Sequence, residues 1–177
     1  MLNEMRKWSY VALSLLILSL LTSCGYSIVR EKGAYKGEVI TVAVPVFKNL
    51  TFEPQVSQFF TEAFTRELIL SGVFDVNKEG STSTLLGTLA SERSVPTAMN
   101  ANGLTVQKTV YATLNLALQK NDGRLIKNWS LTDAETYDVG DINIEEPNKR
   151  LALTRMAARM ARRFSALVIA DIDRKAL

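Results

Sequence analysis

The chain has no histidine and a single cysteine in 177 residues. Without an imidazole, neither a Ser-His-Asp nor a Cys-His nucleophile can be assembled, and histidine metal ligands are excluded as well. Cys24, the one thiol, has no partner for an intramolecular disulfide and cannot build a thiolate cluster. No G-x-x-x-x-G-K or G-x-G-x-x-G run occurs, so the usual phosphate cradles are missing. The sequence therefore reads as a protein that is not an enzyme and that holds no cofactor and no metal. Nor is there an uninterrupted apolar run of about 20 residues, the length that crosses a bilayer. Charge of one sign is scarce too. The formal net charge is +3, and removal of residues 1–23 takes away Glu4, Arg6 and Lys7 and leaves +2, which does not support nucleic-acid binding by bulk charge.

What is there begins with a secretory layout. Arg6 and Lys7 form a short positive region, and Val11 to Leu21 an apolar one broken only by Ser14 and Ser19. Leu21-Thr22-Ser23-Cys24 then resembles a bacterial lipoprotein processing site. The expectation is a signal peptide over 1–23, acylation of Cys24, a tether over 24–37 and a domain over 38–177. Several acyl chains, at about 0.8 kcal/mol per buried CH₂, anchor firmly where one myristoyl chain does not. Gly25 stands where an inner-membrane retention signal would place Asp, so the expected location is the inner leaflet of the outer membrane, facing the periplasm. The roughly 150 remaining residues make one domain with core enough to stand without disulfides.

The domain reads as β-α-β-β-β-α. Val39 to Phe47 is a β-branched apolar strand ended by Pro45. Pro54 is placed for a helix start, Val56, Phe60, Ala63, Phe64 and Leu68 recur at helical spacing, and Gly72 stops the helix. Val73 to Val76 is a short returning strand, which makes a right-handed βαβ unit with parallel strands. Alternation then marks a strand from Leu85 to about Ser94, a long turn from Pro96 to Gly103, a strand from Leu104 to Gln119, a hairpin at Asn121-Asp122-Gly123, and a strand from Arg124 to about Tyr137. The last helix opens at Glu145-Glu146-Pro147 and carries Leu153, Met156, Met160, Phe164, Leu167 and Val168 on one stripe, with Arg155, Arg159 and Arg162 opposite as a solvated face. The fold class is α+β, a two-layer sandwich of two helices on a four-stranded mixed sheet.

Two sets of residues are candidates for recognition. On the Leu104–Gln119 strand, one face carries Gln107, Thr109, Tyr111, Thr113 and Asn115. It is polar, without charge, and left bare by the helices, as a face covered by a polar partner would be. Four basic residues, Arg93, Lys108, Lys120 and Arg124, sit near strand ends. Hairpin geometry is expected to set Lys120 beside Arg124 and, at the opposite end, Arg93 beside Lys108, with Val95, Met99 and Leu104 supplying apolar contact nearby.

Cys24-Gly25-Tyr26, the stretch Val42-Ala43-Val44-Pro45-Val46-Phe47-Lys48-Asn49-Leu50-Thr51-Phe52-Glu53-Pro54, and Leu86-Gly87-Thr88 together resemble the lipopolysaccharide-assembly lipoprotein family LptE. The long polar strand ending in a Gly turn and the arginine-bearing C-terminal helix extend the likeness over the whole domain. The resemblance implies a plug and assembly partner of the large outer-membrane β-barrel LptD, working in lipopolysaccharide transport without catalysis. It also implies contact with lipopolysaccharide through basic positions near the strand loops. The turn Asn100 to Gly103 has no basic residue, leaving Arg93, Lys108, Lys120 and Arg124 as the candidates. The Phe-x-Asn-x-Thr connection is also similar to lipoproteins that activate peptidoglycan synthases and to the curli secretion lipoprotein, so those functions are the alternatives.

Overall fold

The computed structural model describes residues 34–35, 38–77 and 79–173. The expected signal peptide, the acylation site Cys24 and most of the tether lie outside the described residues. Two short strands, β1 (Ala34–Tyr35) and β2 (Glu38–Val39), pair antiparallel as a small ribbon of their own.

The main sheet is mixed. Its strands are β3 (Thr41–Ala43), β4 (Lys48–Asn49), β5 (Asp75–Val76), β6 (Ser83–Met99), β7 (Thr105–Lys120) and β8 (Leu125–Asp138), in the order β5-β3-β6-β7-β8, with β4 also alongside β6. Helices α1 (Val56–Ser71) and α2 (Ile142–Asp173) cover one face. The two-layer α+β sandwich expected from the sequence is present, and β3 and β5 are parallel, as the βαβ reading requires. The sheet has six strands where four were expected, because the short return strand β5 pairs as a member of its own and the first expected strand, Val39 to Phe47, is broken so that β3 and β4 pair separately. From Val42 to Lys48 the chain spends six residues to cover what β6 covers in five, Ser83 to Thr88. The extra residue and the missing N–H of Pro45 make a bulge, after which β4 resumes pairing.

A second departure lies in β6, which runs to Met99 and includes Pro96, a residue expected to begin the turn. The turn proper is Asn100 to Gly103, closed by the Asn100 amide donating to the Leu104 carbonyl at 2.9 Å. Between Leu89, opposite Leu114, and Ser91, opposite Thr113, Ala90 is left over. That bulge reverses the alternation. Before it Leu85, Gly87 and Leu89 face the helices; beyond it Glu92 does, and meets Lys149 of α2.

The helices begin elsewhere than expected as well. α1 starts at Val56, after Gln55 in a left-handed conformation at φ 59°, and Pro54 ends the preceding loop. Asn49 organises that loop. Its Oδ1 accepts from the N–H and the hydroxyl of Thr51 (2.9 and 2.8 Å), and its Nδ2 donates to the Glu53 carbonyl at 2.8 Å. α2 starts three residues before Glu145, where the Asp141 carboxylate accepts the Asn143 amide at 2.8 Å.

The core is centred on Phe47. Its ring meets Phe64 of α1 edge-on at 5.5 Å, Phe64 meets Phe164 of α2 at 5.6 Å, and Phe164 meets Trp129 of β8 at 5.0 Å. Each fully buried ring contributes about 1.5–3 kcal/mol by area alone. Phe47 lies flat on Gly87, where any Cβ would overlap its ring. The Phe47 amide, turned away from β6, donates to the buried Thr61 hydroxyl of α1 at 2.9 Å.

Gly87→Ala should therefore destabilise the domain by about 1–3 kcal/mol through overpacking, read as a lower urea midpoint. The double variant Gly87→Ala/Phe47→Leu should lose less than the sum of the single changes. Strict additivity would show that the two residues do not share one constraint.

Candidate partner interface

The face turned away from the helices is built as cross-strand pairs between β7 and β8. Gln107 Nε2 donates to Asp138 at 2.9 Å, the Thr109 and Thr136 hydroxyls meet at 2.9 Å, those of Thr113 and Thr132 at 3.2 Å, and the Ser130 hydroxyl donates to Asn115 Oδ1 at 2.8 Å. Tyr111 lies opposite Ala134 and is covered by the Arg93 guanidinium, 4.7 Å from the ring centroid. The structure thus brings the five residues singled out on this strand together on one surface. It adds that Gln107, Thr109, Thr113 and Asn115 each already have a hydrogen-bonding neighbour. Over β6, β7 and β8 this face carries two charges, Arg93 and Asp138. A shallow hollow of about 530 Å³ opens in it, lined by Leu86, Thr88, Asn115, Ala117, Asn128 and Ser130.

The basic residues are arranged otherwise than expected. Arg93 pairs with Tyr111, whereas Lys108 lies opposite Pro96, three residues away along β7. An odd separation on a regular strand points side chains to opposite faces. Lys108 accordingly reaches the helix layer and binds Glu145 at 2.5 Å, so Arg93 and Lys108 do not form one site. Met99 and Leu104, 64% and 63% exposed, lie at the hairpin tip, while Val95 is part of the strand. Lys120 and Arg124 do stay together across their turn, the Lys120 amide donating to the Arg124 carbonyl at 2.9 Å.

Of the three arginines expected on a solvated face of α2, Arg162 is exposed, but Arg155 and Arg159 reach β8. Arg159 binds Asp133 at 2.7 Å and Glu135 at 2.8 Å and donates to the Ala134 carbonyl at 2.9 Å; Arg155 binds Glu135 at 2.8 Å. Arg163 donates to the Thr132 carbonyl at 3.2 Å, and Asn148 to that of Asp138 at 2.9 Å. These side chains cover the outer edge of β8 from Thr132 to Asp138. Nothing in the helical period distinguishes them from a wet stripe; the one available signal was Asp133 and Glu135, two acids at helix-facing positions of an otherwise polar strand. Burial raises the Glu135 carboxyl, and the hydrogen bonds from Arg159 and then Arg155 overcome it, holding the group below its ordinary 4.5.

A third ionic group ties the loop before α1 to the rest. Lys149 of α2 binds Glu53, and Glu92 of β6 at 3.2 Å, with side chains 17%, 10% and 10% exposed. Burial lowers the Lys149 ammonium and its two carboxylate partners more than reverse that, so its pKa is raised.

The LptE profile, a lipopolysaccharide-assembly family, matches residues 40–166. No protein of curated function matches the sequence. Among solved structures, a minor lipoprotein of Acinetobacter baumannii superposes with a TM-score of 0.53 at 14% identity, over 78% of this chain and 93% of that one. A DUF330 protein of Xanthomonas campestris gives 0.53 at 13% identity, over 81% and 95%. A Chlamydia trachomatis protein gives 0.50 at 10% identity, over 75% and 96%. At such identities the likeness is one of fold.

The seam between α2 and β8 makes stability depend on acid. A carboxyl with a depressed folded pKa stabilises above its unfolded value and loses that contribution as pH falls through the folded one. Thermal melts should therefore show stability declining below about pH 4.5, and Arg159→Gln should lower the melting temperature at neutral pH and flatten that decline. An equal slope in variant and parent would remove Glu135 from the account.

Proposed function

The chain belongs to the lipopolysaccharide-assembly family LptE, and on that footing we propose that it acts as the plug and assembly partner of an LptD-like β-barrel in the outer membrane. The family is one of non-enzymatic lipoproteins, in keeping with a sequence that lacks histidine. The observation that carries the reading is the β7–β8 face. Burying polar groups costs little only if they remain hydrogen-bonded, and here Gln107, Thr109, Thr113 and Asn115 keep their partners whether or not water is present. Such a face can lie against the polar inner wall of a barrel without paying for new hydrogen bonds. Acylated Cys24 holds the domain at the inner leaflet. Lipopolysaccharide is contacted through Arg93 on the open face and separately through the Lys120–Arg124 turn.

Purification of the full-length protein from detergent-solubilised outer membrane should bring down a large β-barrel. A peptidoglycan synthase or a ring of this chain in its place would overturn the reading. Thr113→Glu sets an unpaired charge into the face and should weaken the complex by about 1–3 kcal/mol, seen as loss of the barrel from the pull-down while the melting temperature holds; retention of the barrel moves the interface elsewhere. Cys24→Ala should leave the protein in the soluble fraction or as precursor, and quantitative recovery in the membrane pellet would count against acylation as the anchor.

A further inference from the structure

The lane of the sheet beside β6 is only half filled. β3 occupies it opposite Ser83 and Thr84, and β4 opposite Thr88 and Leu89. The Leu50 amide, donating to the Leu89 carbonyl at 3.0 Å, ends the filled part. From Ser91 to Met99 no strand among the described residues lies on that side. The alternation fixes what faces outward there. The Leu89 carbonyl points into the lane, so Leu89 and Leu114 are not a mutually hydrogen-bonded pair. After the bulge at Ala90 the same holds for Glu92 opposite Ala112, Ser94 opposite Val110 and Pro96 opposite Lys108. β6 therefore presents the N–H and C=O of Glu92 and Ser94 and the C=O of Pro96 to the vacant lane. Pro96 stands where its missing N–H takes nothing from the β6–β7 ladder.

We propose that this lane receives an extended segment of a different polypeptide, added as a strand beside Ser91–Pro96. Main-chain donors and acceptors spaced along a strand are matched by another main chain and not by an acyl chain. A second copy fits poorly. Twofold registers centred on Glu92 or Arg93 oppose like charges, and one centred on Ser94 sets Glu92 against a proline with no N–H to give. On the helix side the lane is floored by Glu53, Lys149 and Glu92, one ammonium between two carboxylates. That excess of negative charge favours an occupant with a lysine or arginine facing Glu92. On the other long edge, that of β8, Arg163, Arg159 and Asn148 take up the carbonyls of Thr132, Ala134 and Asp138. The inference needs a polypeptide partner and does not depend on that partner being a barrel.

The test is photo-crosslinking of the full-length protein in the cells that make it, with p-benzoylphenylalanine at Ser91 or at Val95. Both probes should mark one segment of one partner, at sites about four residues apart. Ser94→Pro removes a single outward N–H and should cut the adduct at least about tenfold, while Ser94→Ala leaves it. If Ser94→Pro lowers the melting temperature, the deciding measurement becomes amide exchange at Glu92 and Ser94, which should slow at least about tenfold in the purified complex relative to the free chain. Adducts to lipid alone, adducts between copies of this chain, no adduct at either position, or a Ser94→Pro variant that crosslinks undiminished would each overturn the proposal. A partner that is not a barrel would sink the proposed function and leave this inference standing. A barrel that co-purifies while amide exchange at Glu92 and Ser94 is unchanged would do the reverse.

Discussion

A phenylalanine ring lying on a glycine governs how the two layers meet. Phe47 can reach the centre of the core only because Gly87 of the neighbouring strand has no side chain, and from there its ring links to Phe64, Phe164 and Trp129, one from each helix and one from the far strand. The bulge before Phe47 follows from the same demand. Residues Val44 to Val46 must shift the alternation so that Phe47, not its neighbour, turns inward, and the amide turned outward by that shift is taken up by Thr61. The segment from Val42 to Glu53 is thus fixed from three sides, by Gly87 below, Thr61 above and the Asn49 hydrogen bonds beyond.

The architecture was legible in the sequence because it rests on periodicity. The apolar alternation of β7 and the helical recurrence of Val56, Phe60, Phe64 and Leu68 each name one structure, and both are buried as read. What escaped was set by single extra residues. Ala90 and the Val44–Val46 stretch each reverse a face, and a pattern of period two cannot announce where it slips. Pro96 was misplaced for a related reason, since a proline in a strand is excluded only if its N–H would have been used, and that depends on a neighbour the sequence does not show. The polar face of β7 was recognisable from its composition. That its side chains satisfy one another depends on register against β8, and so was not. The basic candidates failed where Arg93 and Lys108 were placed by their distance from a turn, although the parity of their positions decides their faces.

Charge and polarity are sorted between the two sides of the sheet. Ion pairs gather on the helix side, where Lys108, Lys127, Lys149, Arg155 and Arg159 each join a strand or loop to α2 or α2 to a strand. The open side is held mainly by hydroxyls and amides, with Arg93 and Asp138 its two charges. Coulombic attraction through a partly buried seam fixes one helix in one place, whereas neutral pairs cost little to cover and little to expose. The division suits a domain that must be rigid inside and compatible with another surface outside.

The closing of the β8 edge has a consequence in time. The groups that cover it come from Asn148, Arg159 and Arg163, in the last element of the chain. A polypeptide delivered from its N-terminus completes the long β6–β7–β8 meander before α2 has emerged, and for that interval β8 is an uncovered strand fourteen residues long. The molecule is then most exposed to pairing with the wrong neighbour, a hazard of any open edge. Completion of the C-terminal helix is therefore the step that covers the Thr132–Asp138 part of that edge.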